Sequence, residues 1–388
     1  MLAATPPMGW NSWNMFGATV NAEIVKQTCE AFVTGGLRDA GYRYIVIDDL
    51  WHGGRGEDGK LFPDPQKFPD GMKAVSDTIH SLGLKFGIYS DAGPLTCGGR
   101  PASQDNEEID AQTFAEWGVD FLKYDWCHAE DTRLNAEYRY SRMSAALRLT
   151  GREIVFSICE WAHHRPWLWG AKVGGQLWRT TGDIGDSWYN VIAKWGGILY
   201  GIESIGFEQQ RGLEAYAGPG HWNDTDMLIV GLRGKSKEIS GAGCTDAEYR
   251  THFSLWCMLA APLMIGCDVR NMDDVTREIL TNPEAIAIDQ DGLGKQGYRA
   301  SRNGLCEIWK KPLANGHLGV AVFNRGDKIQ TVPAQWSDLE IGGKYQVRDL
   351  WAHADMGIFD SAYNVDIEPH GCVLLRLTPS KEQDTDNQ

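Results

Sequence analysis

The stretch FLKYDWC, residues 121–127, follows FAEWGVD and precedes the polar run HAEDTRLNAEYR, and it reads as a short strand between two helices. Phe121, Leu122, Tyr124 and Trp126 suit a strand buried on both faces, but Lys123 and Asp125 bring charges into it. Burying a charge is costly unless it is paired. The two-residue period of a strand puts Lys123, Asp125 and Cys127 on one side. Two readings are open for this strand alone: a structural ion pair, or a working carboxylate whose pKa a neighbouring cation lowers.

The same arrangement recurs along the chain. Strand-like segments are MGWNSW (8–13), YRYIVIDDLW (42–51), LKFGIYSDAG (84–93), VDFLKYDWC (119–127), EIVFSICEW (153–161), LWRTTGDI (177–184), HWNDTDMLIV (221–230) and PLMIGCDV (262–269). Helix-like segments lie between them, several ending in glycine as a helix C-terminus prefers. Strands alternating with helices imply a parallel sheet, and this number of repeats predicts an α/β fold of the (β/α)8 TIM-barrel type. Polar residues gather at the C-terminal ends of these strands: Asp48 and Asp49, Asp91, Asp125, Glu160, Asp183, Asp224 and Asp226, and Asp268. In this fold that end carries the chemistry.

Past IDQDGLGKQGYR (288–299) the helical period stops. The runs GLCEIWKKPL, HLGVAVFNRG, IQTVPAQW, KYQVRDLWAH and CVLLRLTP, separated by Gly, Pro and Asp turns, predict a C-terminal antiparallel β-sandwich. The expected organisation is a catalytic barrel over residues 1–290, a sandwich over 291–380 and a disordered tail over 381–388.

The 388 residues are 43% hydrophobic and 23% charged, with a net charge of −15. Such a chain is a poor partner for nucleic acid or for anionic membrane surfaces. No apolar run reaches the roughly 18 residues a membrane helix needs, so membrane insertion is not expected. The start, MLAATPPMGW, lacks a charged n-region and an apolar h-region, which leaves a cytoplasmic chain or one whose leader has been removed. Of the 16 tryptophans, several sit beside polar residues, as in MGWNSWNMF, CEW and HWND. Core packing accounts for most aromatics, but a sugar site also uses an aromatic face against the apolar side of a pyranose.

The strand ends supply many carboxylates, few histidines and no phosphate loop or G-x-S-x-G elbow. His163, His164 and His221 lack metal-ligand spacing, and the nine cysteines form no C-x-x-C pair, so neither metal nor cofactor is expected. Carboxylate pairs with aromatic walls are what glycoside hydrolysis requires: one attacks or stabilises the anomeric carbon, and the other protonates the leaving oxygen. Asp125 beside Lys123 suits the ionised role. Asp183, with Trp178 and Trp188 nearby in sequence, suits the acid; Arg179 could pair with it, with another carboxylate or with substrate.

The motifs PPMGWNSWNMFG, DAGYRYIVIDDLW, LGLKFGIYSDAG, DAQTFAEWGVDFLKYDWC, CEW, WRTTGDIGDSW, AGPGHWNDTDML and AIDQDGLGKQG occur in this order. Together they resemble the family 27 glycoside hydrolases, the α-galactosidase and α-N-acetylgalactosaminidase group. The resemblance implies Asp125 as nucleophile and Asp183 as acid/base, about 5–6 Å apart as in a retaining enzyme. It also implies that Asp48 and Asp49 bind the C4 and C6 hydroxyls, Lys123 the C3/C4 side and Arg179 the C2 side. Trp13, Tyr89 and Met227 would wall the pocket, with Cys127 beside them. A disulfide between Cys97 and Cys127 is implied, which points to an extracytoplasmic setting. Glu160 in CEW would accept from a 2-hydroxyl, favouring galactose over its 2-acetamido analogue. Asp49 favours a sugar with a C6 hydroxymethyl. The expected partner is a galactose-terminated oligosaccharide or glycoconjugate, and the expected reaction is exo-acting hydrolysis with retention. The rival readings are an α-N-acetylgalactosaminidase or β-L-arabinopyranosidase on the same site, and a catalytically silent galactose-binding protein.

Overall fold

A computed structural model describes residues 1–239 and 241–380, so the tail expected to be disordered lies outside the described residues. By their contacts the described residues form two units: Met1–Cys244 with Pro262–Thr281, and Thr245–Ala261 with everything from Asn282 on.

The first unit is built on eight parallel strands. In chain order they are β1 (Met8–Asn11), β2 (Tyr44–Ile47), β3 (Lys85–Asp91), β4 (Phe121–Asp125), β5 (Val155–Ile158), β6 (Leu177–Arg179), β7 (Trp222–Asp224) and β8 (Leu263–Ile265). From β1 to β7 each pairs with the next, β1 also pairs with β8, and a parallel bridge from Leu228, just past β7, to Ile265 closes the cylinder. All eight expected strands are present, each shorter than its hydrophobic run. Burial on both faces explains the runs: all four residues of β2, Tyr-Ile-Val-Ile, are buried.

Helices α1 (Ala22–Thr34), α2 (Gly71–Ser81), α3 (Glu107–Trp117) and α4 (Arg133–Leu149) cover the first strands. In α1, Asn21 caps the N-terminus by accepting from the Ile24 amide, and Val25, Thr28, Cys29 and Phe32 form the buried stripe. The alternation fails after β6. Residues 180–221 carry no α-helix; they form a hairpin of Val191–Ile192 with Ile198–Leu199 and a π-helical turn at Glu203–Glu208. This segment holds Gly182, Gly185, Gly196, Gly197, Gly201, Gly206 and Gly212, which deny it a helical stripe.

The second unit is a sandwich of a six-stranded antiparallel sheet and a two-stranded one. Its strands are β9 (Tyr298–Asn303), β10 (Cys306–Pro312), β11 (Leu318–Asn324), β12 (Gln330–Gln335), β13 (Tyr345–Asp349), β14 (Ala354–Phe359), β15 (Ala362–Ile367) and β16 (Cys372–Pro379). The larger sheet runs β9-β10-β11-β16-β13-β14, and β12 pairs with β15. Ile308, Val320, Val322, Val332, Trp336, Val347, Leu375 and Leu377 fill the space between them. The five β-rich runs correspond to β10, β11, β12, β13 and β16. The strands that sequence pattern missed include both edges of the large sheet, β9 and β14, where no residue is fully buried and the apolar alternation is weak.

Candidate active site

Lys123 of the FLKYDWC strand does not pair with Asp125. Its Nζ donates to Asp48 Oδ2 at 2.8 Å, just past the end of β2, two strands away. The same oxygen accepts from Asn11 Nδ2 at 2.6 Å, and Asp48 Oδ1 takes the Asp49 amide at 2.8 Å. Asp48 is therefore a buried carboxylate with its charge matched and three donors on its two oxygens.

Asp125 is 4% exposed. It accepts from the Tyr89 hydroxyl at 3.1 Å and from the Trp126 amide at 3.1 Å. Burial pushes its pKa up to about 7; Lys123 pulls it down, and Asp183 and Asp48 push it further up. Lys123 thus lowers this pKa as expected, but its hydrogen bond goes to Asp48 and desolvation outweighs its pull, so the net shift is upward.

Asp183 stands apart from this buried group. Its side chain is 47% exposed, and Arg179 Nη2 holds it at 3.0 Å. Arg179 bridges onward, with Nη1 3.0 Å from Asp226 Oδ1 and 3.7 Å from the Cys159 sulfur. Asp226 also accepts from the Ile184 amide at 2.7 Å, and burial raises its pKa to about 6. The two carboxyls singled out in the sequence thus differ in environment: Asp125 is desolvated at the floor, and Asp183 is half in water at the rim.

The loop after β3 is fastened to this floor. A disulfide joins Cys97 to Cys127, as the sequence resemblance implied, with Cα atoms 5.1 Å apart. Asp91 accepts from the Gly93 and Cys127 amides at 2.7 and 2.8 Å. Gly93 must be glycine, since a Cβ there would lie 2.0 Å from the Cys127 carbonyl oxygen. The fastened loop delivers the Gly98 amide to Asp49 Oδ2 at 2.7 Å, while Asp49 Oδ1 accepts from Leu50 at 2.6 Å. Burial raises the Asp49 pKa, and these amides oppose it. Asp91, Cys97 and Cys127 also gather metal-type ligand atoms, but the disulfide removes both thiolates from that set.

These groups line one cavity of about 410 Å³. Its wall includes Asp48, Asp49, Lys123, Asp125, Arg179 and Asp183, with Trp13, Tyr89, Met227 and the Cys97–Cys127 bridge. Glu160 does not line it. That residue is fully buried behind the wall, where its Oε2 accepts from the His164 amide at 2.7 Å and lies 2.9 Å from His164 Nδ1. Glu160 Oε2 is thus taken by His164, while Oε1 is buried without a hydrogen-bond partner among the described residues, and Trp161 rather than Glu160 is in the cavity wall. Trp126 also faces away, stacked on Tyr140 at 5.6 Å, in keeping with the strand period. Asp268 lies outside the cavity in an ion pair with Arg270 at 2.7 Å. The sequence reading missed Trp195 and Glu238 as wall residues because both lie in segments without periodicity.

The sequence model of the alpha galactosidase A family matches residues 5–291. The chain belongs to the alpha-galactosidase family. The model of the alpha-galactosidase C-terminal β-sandwich domain matches residues 303–377. The alpha-galactosidase A of Cellvibrio japonicus is 44% identical over 393 residues, covering 97% of this chain and 93% of that one. The solved structure of alpha-galactosidase I from Mortierella vinacea has a TM-score of 0.90 and 36% identity, with 98% of each chain covered. That of the Saccharomyces cerevisiae alpha-galactosidase with raffinose also has a TM-score of 0.90, at 30% identity and 98% coverage of each chain. Alpha-galactosidase family membership makes the cavity at the barrel mouth the place to look for glycoside hydrolysis.

Proposed function

We propose that the chain is a retaining, exo-acting α-galactosidase that removes terminal non-reducing α-D-galactosyl residues. The observation that carries the reading is the contrast between the two carboxyls: Asp125 buried at the cavity floor and Asp183 half-exposed at its rim. Double displacement needs that division of labour. Asp125, ionised, attacks C1 as Asp183 delivers its proton to the departing oxygen. The product is a β-galactosyl ester of Asp125. Asp183 then takes a proton from water, which attacks C1 from the face the leaving group vacated. Two inversions give α-galactose. Lys123, Asp48 and Asp49 offer donors and acceptors for the galactose hydroxyls, and Arg179 orients Asp183. The galactose-containing raffinose held by the yeast relative supports an oligosaccharide substrate. Trp161 lines the same cavity, and its bulk adds to the discrimination against a 2-acetamido sugar.

The test is Asp125→Asn and Asp183→Asn against aryl α-galactosides. Asp125→Asn is expected to lose at least about 10³ in kcat for every leaving group. Asp183→Asn is expected to lose most with poor leaving groups and least with a dinitrophenolate, which needs no proton. Activity of Asp125→Asn within about tenfold of wild type would remove it from the nucleophile role. Assays with aryl N-acetyl-α-galactosaminide and aryl β-L-arabinopyranoside separate the sister specificities.

A further inference from the structure

The hairpin after β6 carries an unusual amount of exposed apolar surface beside the catalytic rim. Trp195 in its turn is 64% exposed, and Tyr189, Ile192 and Ile198 are also exposed. Exposed apolar residues scattered singly need no explanation, but a group of them at the edge of a binding cavity does. Trp195 lines the same cavity as Asp125 and Asp183.

Backbone bonds fasten this hairpin to the acid. The Tyr200 amide donates to the Asp183 carbonyl at 2.8 Å, and the Gly185 amide returns to the Tyr200 carbonyl at 2.9 Å. The turn is pinned on its other side, where the Lys194 amide donates to the Glu238 carbonyl at 2.8 Å. Glu238, Trp195 and Trp13 all line this cavity. Gly197 lets the indole lie over the turn, since a Cβ there would come within 1.7 Å of the Trp195 ring.

We propose that this hairpin is the subsite for the leaving sugar, with Trp195 as the platform for a hexopyranose ring and Glu238 as an acceptor for its hydroxyls. The proposal rests on the α-galactosidase reading and extends it beyond the galactose. An indole offers a flat apolar surface to the C–H face of a pyranose. Because the hairpin and Asp183 share backbone hydrogen bonds, a ring on Trp195 would bring its glycosidic oxygen to the acid.

The experiment compares an α-1,6-linked galactosyl hexopyranoside with α-galactosyl fluoride, which has no leaving sugar, in wild type, Trp195→Ala, Trp195→Phe and Gly197→Ala. Trp195→Ala is expected to lower kcat/KM for the disaccharide about five- to tenfold. The fluoride should stay within about twofold of wild type. Trp195→Phe should recover most of the loss, and Gly197→Ala, which displaces the indole, should reproduce it. Equal losses on both substrates would mean that the hairpin acts only through Asp183, and would overturn the proposal; so would no loss on either. A changed sedimentation coefficient in Trp195→Ala without a substrate-selective loss would assign the exposed face to a second copy, again overturning it. A wild type inactive on both substrates would instead overturn the α-galactosidase reading itself.

Discussion

Asp125→Asn should stabilise the protein, and by an amount that depends on pH. The Asp125 carboxyl moves from an ordinary value of 3.8 to about 7 on folding, chiefly through burial. For a raised pKa, the stability that the protonated carboxyl allows is fully present below 3.8 and is lost as pH rises through about 7. At roughly 1.4 kcal/mol per pKa unit, the cost of holding the ionised group is about 4 kcal/mol at pH 8 and about 2 kcal/mol at pH 5. Asparagine removes the ionisation but turns one acceptor into a donor, which costs about 1 kcal/mol wherever the pH is set. That second effect cancels when the two pH values are compared. Denaturant unfolding of wild type and Asp125→Asn at pH 5 and pH 8 should therefore show the variant gaining about 2–3 kcal/mol more at pH 8. An equal effect at both pH values, or a larger gain at pH 5, would refute the claim that Asp125 is held in a desolvated, charge-hostile site.

The same carboxyl gives the rate profile an acid limb. With a pKa near 7 in the free protein, kcat/KM for an aryl α-galactoside should rise with pH through that region as Asp125 ionises, and a flat profile from pH 5 to 7 would contradict this. Lys123→Met should destabilise the barrel by about 3–5 kcal/mol by leaving Asp48 buried without its cation, read from denaturation midpoints. Lys123→Met combined with Asp48→Asn should recover part of that loss. Replacing both Cys97 and Cys127 by Ser opens a loop with a sequence separation of 30 and should cost about 3–4 kcal/mol, with a raised KM as the Gly98 amide loses its hold on Asp49.

Much of the barrel was legible because its strands are buried on both faces. A run such as Tyr44–Ile47 has no alternative use, and an aspartate at its end marks the mouth. What the sequence concealed was partnership. Strand parity put Lys123 and Asp125 on one face, but parity cannot say which of several carboxylates a long side chain reaches, and Asp48 lies 75 residues away. Glu160 is a related case. The CEW motif fixed its place after β5, while the turn that follows it, with positive φ at Trp161 and Ala162, puts Trp161 in the cavity wall and one Glu160 carboxyl oxygen against His164. Trp195 was hidden because a glycine-rich excursion has no period to read.

The charge balance of the cavity gives these placements a common sense. Six carboxyls line it (Asp48, Asp49, Asp125, Asp183, Asp226 and Glu238) against the cations Lys123 and Arg179. Each cation is already engaged, Lys123 with Asp48 and Arg179 with Asp183 and Asp226. A galactoside in its ground state is neutral and gains little from an excess of negative charge. Its transition state carries developing positive charge at the anomeric centre. Unmatched carboxylates in a desolvated pocket therefore favour the transition state over the bound substrate, which is the condition for raising kcat rather than only lowering KM. Had Lys123 paired with Asp125, it would have eased ionisation and weakened the nucleophile's interaction with that centre. Committed to Asp48, it steadies the floor and leaves the Asp125 charge for C1.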